Sequence, residues 1–116
     1  MSGSDSVANV RRFGMAARLV PSKRDEYLRL HRSVWPQVEK TITECGIRNF
    51  TIFELDGVLM AYYEYVGDDY DADQRAIAAD PVTQRWWAET APCQRPFREG
   101  SAESNWEQFD EIWHRD

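Results

Sequence analysis

From Val10 to Val20, apolar Phe13, Met15, Ala17 and Leu19 alternate with Arg12, Gly14, Ala16 and Arg18, a two-residue period that predicts a β-strand. Pro21-Ser22 closes it, and Ser22 with Asp25 and Glu26 after it predicts the capped start of a helix. Winding at about 100° per residue gathers Tyr27, His31, Val34, Trp35, Val38 and Ile42 on one stripe. Arg29, Arg32, Ser33, Pro36, Glu39, Lys40 and Thr43 fall opposite. With Pro36 on the wet side, a kink is expected there rather than a stop, and Cys45-Gly46 supplies the stop. Two strand-like runs, Ile47 to Leu55 and Val58 to Val66, flank Asp56-Gly57, a pair suited to the positive φ angles of a tight hairpin turn. Asp71 to Ala91 reads as helical, divided at Asp80-Pro81, where a capping residue precedes proline at a first helical position. Pro92 to Ser104 reads as a loop and Trp106 to His114 as a last strand.

The resulting order, β-α-β-β-α-β, predicts an α+β fold of the ferredoxin-like kind, with its helices on one face of an antiparallel sheet. The other face should then be polar, yet the third strand is apolar or aromatic on both sides. Leu59, Ala61, Tyr63 and Tyr65 share one parity; Met60, Tyr62 and Val66 share the other. An uncovered face of that kind is an interaction surface, and a homodimer packing sheet against sheet is its simplest cover.

Composition narrows the function. At 116 residues the chain is one domain's worth, expected to run from residue 10 to 116 behind a small, polar and flexible leader at residues 1–9. A net charge of −6 without a basic stripe argues against nucleic acid and anionic membranes as partners, and no apolar run is long enough to span a bilayer. The leader lacks the regions of an export signal, so a cytoplasmic location is expected. In that setting the two cysteines, Cys45 and Cys93, are expected to stay unpaired.

Chemistry then rests on few residues. His31 lies on the apolar stripe four residues after Tyr27, so the two side chains are neighbours. A histidine facing inward beside a phenol can exchange protons near neutral pH, although the spacing equally suits a core histidine held by hydrogen bonds. Trp86 and Trp87 point about 100° apart on a helix, so one can be core while the other stacks on the C–H face of a sugar, with Gln84, Arg85 and Glu89 nearby. The alternative is that both are packing residues. His114, near the end of the last strand, reads as an edge residue. No metal site is expected: the histidines lack ligand spacing, and the acidic run from Asp69 to Asp73 has Gln74 where a calcium loop needs glycine. Glycine-rich nucleotide motifs and a nucleophile elbow are missing from the sequence.

Taken together, Glu26-Tyr27 with His31, Val34-Trp35-Pro36, Arg48-Asn49-Phe50-Thr51-Ile52-Phe53 and Gln84-Arg85-Trp86-Trp87 resemble the L-rhamnose mutarotase family, from Phe13 to His114. The resemblance implies a dimeric α+β barrel of ferredoxin-like protomers. It also implies a cofactor-free enzyme that interconverts the α and β anomers of a 6-deoxy-hexose such as L-rhamnose. It makes His31 the proton donor and places Tyr27, Trp86 and Trp87 against the sugar. At Phe50 the family has a further sugar-contacting tyrosine, so here the ring is kept and its hydroxyl is lost.

That departure leaves L-fucose open as the substrate. Two readings outside sugar isomerisation also remain: a cofactor-independent oxygenase, which small ferredoxin-like dimers can be, and a non-catalytic sugar-binding module using the tryptophans.

Overall fold

The computed structural model describes residues 10–101 and 105–116; the expected leader at residues 1–9 lies outside the described residues. Strand β1 (Arg11–Leu19) leads through a 3-10 turn at Pro21–Lys23 into α1 (Arg24–His31) and then α2 (Pro36–Glu44). The hairpin β2 (Ile47–Leu55) and β3 (Val58–Tyr65) follows, then α3 (Tyr70–Ala79), α4 (Pro81–Thr90) and the short strands β4 (Gln94–Arg95) and β5 (Glu107–Phe109). The strands lie in the order β2-β3-β1, and β4 and β5 both pair with the remaining edge of β1. All pairs are antiparallel. This is the ferredoxin-like order, with its fourth strand broken into two pieces.

The turn at Asp56-Gly57 has the expected positive φ values, 51° and 82°. Asp80 caps α4, accepting from the Thr83 amide at 2.9 Å and the Thr83 hydroxyl at 2.8 Å, with Pro81 in the first turn. Gly46, at φ 83°, ends α2; a Cβ there would lie 3.0 Å from the Tyr65 ring.

Three local expectations need correction. Pro36 does not kink one long helix. The first helix stops at His31, and Pro36 opens a second one behind Trp35, which sits in an extended conformation at φ −63° and ψ 129°. Proline excludes its predecessor from the helical region, wherever the ring points. Ser22 caps nothing, because the chain enters α1 through a 3-10 turn and Lys23 stands at the boundary without a side-chain cap. Finally, the last strand covers only Glu107–Phe109. Beyond it the chain is tied to β1 by an Arg12–Glu111 side-chain pair at 3.0 Å instead of a backbone ladder, leaving Ile112 and Trp113 exposed.

Leu59, Ala61 and Tyr65 are buried on the helix side of the sheet, with Phe13, Ala17 and Leu19 from β1. Met60, Phe53 and Leu55 share the opposite face and are exposed. Strand β2 contains an irregularity that sequence parity conceals. Arg48 pairs with Glu64 and Thr51 with Tyr62, so Asn49 and Phe50 together oppose Tyr63. Asn49 takes a positive φ of 54°, as a β-bulge demands. The extra residue puts Ile47 and Ile52, five positions apart, on the same helix-facing side.

Candidate active site

Helix α1 is anchored by Arg24, whose guanidinium grips Glu54 of β2 through two bonds of 3.2 and 2.9 Å. This anchor orients the face of α1 that carries Tyr27 and His31. Their rings lie 4.3 Å apart at 33°. The His31 ring also meets Trp86 of α4 edge-on at 5.3 Å, and Trp86 meets Trp35 edge-on at 5.2 Å. Two helices thus meet at one imidazole, and the segment between α1 and α2 supports it from behind Trp86.

His31 Nδ1 lies 2.9 Å from the main-chain oxygen of Tyr27. A carbonyl can only accept, so Nδ1 carries the proton and donates. In the neutral ring Nε2 is then the basic nitrogen. The imidazole is half-buried, not sealed in the core.

Tyr27 is deeper, at 2% exposure. Its phenol accepts from Gln94 Nε2 at 3.0 Å, and burial pushes its pKa up to about 12. The group bonded to His31 is therefore the Tyr27 carbonyl, while the phenol stays neutral and is held by β4. Ala17, Leu19 and Leu59 pack around it. Gln94 and Trp106 belong to the surroundings of Tyr27, and Trp35 backs Trp86; of the three, only Trp35 is marked in the sequence, by the apolar stripe and the Val34-Trp35-Pro36 segment. Gln94 comes from the two-residue β4, inside the stretch expected to be a loop, and Trp106 stands just ahead of β5, at the start of the run expected to be the last strand.

The other expected site residues lie less tightly grouped. Trp86 is buried at 6% exposure, whereas its neighbour Trp87 is 44% exposed, as two adjacent helical residues must diverge. Phe50 stands on the bulge of β2, 45% exposed, with its ring edge-on to Tyr63 at 5.4 Å. Gln84 donates to the Ala78 carbonyl at 2.8 Å and so joins α3 to α4. In the acidic run, Asp69 caps α3 through the Ala72 amide and Asp73 accepts from the Tyr65 hydroxyl. His114 lies outside any strand and pairs with Asp116 at 2.9 Å. Cys45 and Cys93 are both free and buried.

The fold and this histidine-centred aromatic cluster define a ferredoxin-like α+β protein with one half-buried imidazole held among Tyr27 and Trp86. A sequence model of the L-rhamnose mutarotase family matches residues 12–115. An L-rhamnose mutarotase from Burkholderia ambifaria is 31% identical over 95 residues, which are 72% of this chain and 90% of that relative. Among solved structures, an L-rhamnose mutarotase from Formosa agariphila superposes with a TM-score of 0.70 at 18% identity, over 91% of this chain and 99% of the other. The tetracenomycin F2 cyclase of Streptomyces glaucescens reaches 0.63 at 16% identity over the same shares, a likeness of fold alone. The chain belongs to the L-rhamnose mutarotase family and is accordingly an isomerase acting on carbohydrate. Among the described residues no helix is long and apolar enough to cross a membrane.

Proposed function

We propose that the protein interconverts the α and β anomers of L-rhamnose, with His31 as the proton carrier. The observation that supports this most directly is the Nδ1–H bond to the Tyr27 carbonyl, which presents Nε2 as a base. Nε2 takes the proton of the anomeric hydroxyl as the C1–O5 bond breaks, and the imidazolium so formed returns that proton to O5. Rotation about C1–C2 and the reverse transfer close the ring as the other anomer. Each step is balanced by one shuttled proton.

Tyr27 steers the imidazole through its carbonyl and ring and contacts the sugar. Trp86, Trp87 and Phe50 offer the apolar surface on which its C–H face and 6-methyl group rest. The working form is a homodimer in the cytoplasm. The dimer is supported by the bare sheet face, where Phe53, Leu55 and Met60 are 61%, 73% and 54% exposed.

Exchange NMR on equilibrated L-rhamnose and L-fucose, with and without protein, tests the reading. Faster exchange between the anomeric protons of L-rhamnose is expected. Acceleration of L-fucose alone would change the substrate, and acceleration of neither would remove the isomerase role. Sedimentation of the protein as a monomer at micromolar concentration would overturn the dimer.

A further inference from the structure

A carboxamide can face either way, and at Gln94 its neighbours decide. The Asn105 side chain lies 3.3 Å from the Ala91 carbonyl and 3.4 Å from the Gln94 side chain. A carbonyl only accepts, so the Asn105 atom between them is Nδ2, a donor, and Gln94 turns its oxygen to it. That leaves Gln94 Nε2 facing Tyr27, to whose hydroxyl oxygen it donates at 3.0 Å. One main-chain oxygen thus fixes three side chains in series, and the Tyr27 phenol ends the series as an acceptor. Its own proton is then available to another group, and among the described residues nothing takes it. Ala17, Leu19 and Leu59 carry no side-chain acceptor, the Cys93 thiol is turned to the Glu89 carbonyl at 3.6 Å, and the indole of Trp106 can only donate. In a side chain only 2% exposed, a donor without an acceptor is costly.

We propose that Gln94 and Asn105 are positioning residues of the sugar site: by filling the Tyr27 oxygen they commit its proton to an oxygen of the bound sugar. This rests on the reading of Tyr27 as a sugar contact in the proposed function, and deepens it. The Tyr27 ring lies 4.3 Å from that of His31, and the two polar groups it meets, His31 and Gln94, are both half-buried. A sugar over the imidazole therefore lies beside the phenol. A freely turning phenol can accept from a sugar hydroxyl or donate to it. One fixed as a donor selects a sugar oxygen with a lone pair turned towards it, and so favours one orientation of the pyranose. Burial pushes the Tyr27 pKa up to about 12, so the donor persists wherever a histidine base works. The break in the fourth strand brings the pair together, since Gln94 opens β4 and Asn105 stands just ahead of β5.

The test measures L-rhamnose affinity by tryptophan fluorescence, and KM and kcat by anomer-exchange NMR, in the parent, Gln94→Glu, Asn105→Asp, Tyr27→Phe and Tyr27→Phe/Asn105→Asp. A carboxylate at position 94 takes the Tyr27 proton directly. A carboxylate at position 105 can only accept, so it turns the Gln94 amide over, and Tyr27 then donates to Gln94 Oε1. Each single variant should weaken binding and raise KM about 3- to 10-fold, the effect of one neutral hydrogen bond, with a smaller loss in kcat. In the double variant, Asn105→Asp should add less than about 2-fold to the loss caused by Tyr27→Phe, because it acts only through the phenol. Asn105 is partly exposed, so Asn105→Asp provides the reading should Gln94→Glu melt early. Unchanged affinity in folded Asn105→Asp, or its full loss repeated in the Tyr27→Phe background, overturns the proposal while leaving the isomerase reading intact. Sugar binding without exchange overturns the isomerase reading, and the affinity series still decides Gln94 and Asn105. A parent that binds no L-rhamnose overturns both.

Discussion

Replacing His31 by alanine separates its chemistry from its packing. The variant loses the Nδ1–H bond to the Tyr27 carbonyl, a contribution of about 0.5–1.5 kcal/mol. It also loses two ring contacts, to Tyr27 at 4.3 Å and to Trp86 at 5.3 Å, each adding about 0.5–1.5 kcal/mol beyond area burial. The sum, about 1.5–4.5 kcal/mol, is less than the total stability of a typical domain, about 5–15 kcal/mol, so the variant should fold with a lower urea midpoint. Its catalytic loss should be far larger in proportion. A positioned acid–base group contributes about 10²- to 10⁴-fold, and exchange should drop by that factor towards the rate in buffer alone. Saturation transfer between the anomeric protons of L-rhamnose gives the rate, and a urea titration of the same sample gives the stability. A folded His31→Ala protein that retains acceleration within roughly tenfold of the parent would refute the assignment and return His31 to a packing role.

Tyr27 should make stability fall at high pH. Below pH 10 the phenol is protonated in both states; above it the unfolded tyrosine ionises first, while the buried one, pushed up to about 12, holds its proton. The unfolded state then binds fewer protons, so about 2–3 kcal/mol is lost between those values, and Tyr27→Phe should show a correspondingly shallower decline in urea titrations. Trp86→Ala should destabilise by about 3–5 kcal/mol as a buried aromatic truncation, whereas Trp87→Ala should leave the urea midpoint almost unmoved and raise KM. Asp80→Ala removes the cap of α4 and leaves the buried Thr83 hydroxyl without its acceptor; Tm should fall by roughly 5 °C with KM unchanged.

The parts of the fold readable in the sequence are those fixed by neighbouring residues. Asp56-Gly57 and Asp80-Pro81 carry their backbone geometry in their own chemistry, and both appear where expected. At Pro36 the amphipathic stripe runs on unbroken through a residue whose steric effect falls on the one before it, so the phase of the pattern conceals the break. The bulge at Asn49 is legible only as a fault in alternation between Ile47 and Ile52, and nothing local distinguishes that fault from an ordinary exposed apolar residue. In the sequence the fourth strand shows only as a single late run, because β4 has just two residues, too few to show a period. At the site, helical spacing placed Tyr27 beside His31 but could not reveal that the carbonyl, not the phenol, makes the bond. The Gln94 partner comes from a segment 67 residues away, beyond the reach of any local pattern.

The bulge in β2 also bears on how such a protein can change its preferences. Because Asn49 absorbs the extra residue, Phe50 stands half in solvent while Ile47 and Ile52 keep the core on either side. An exchange at position 50 between phenylalanine and tyrosine alters a half-exposed ring without altering what holds the sheet against the helices. Selection can therefore vary that position nearly free of a folding penalty. A hydroxyl gained or lost at such a half-exposed position is the kind of drift this architecture permits while the scaffold stays fixed.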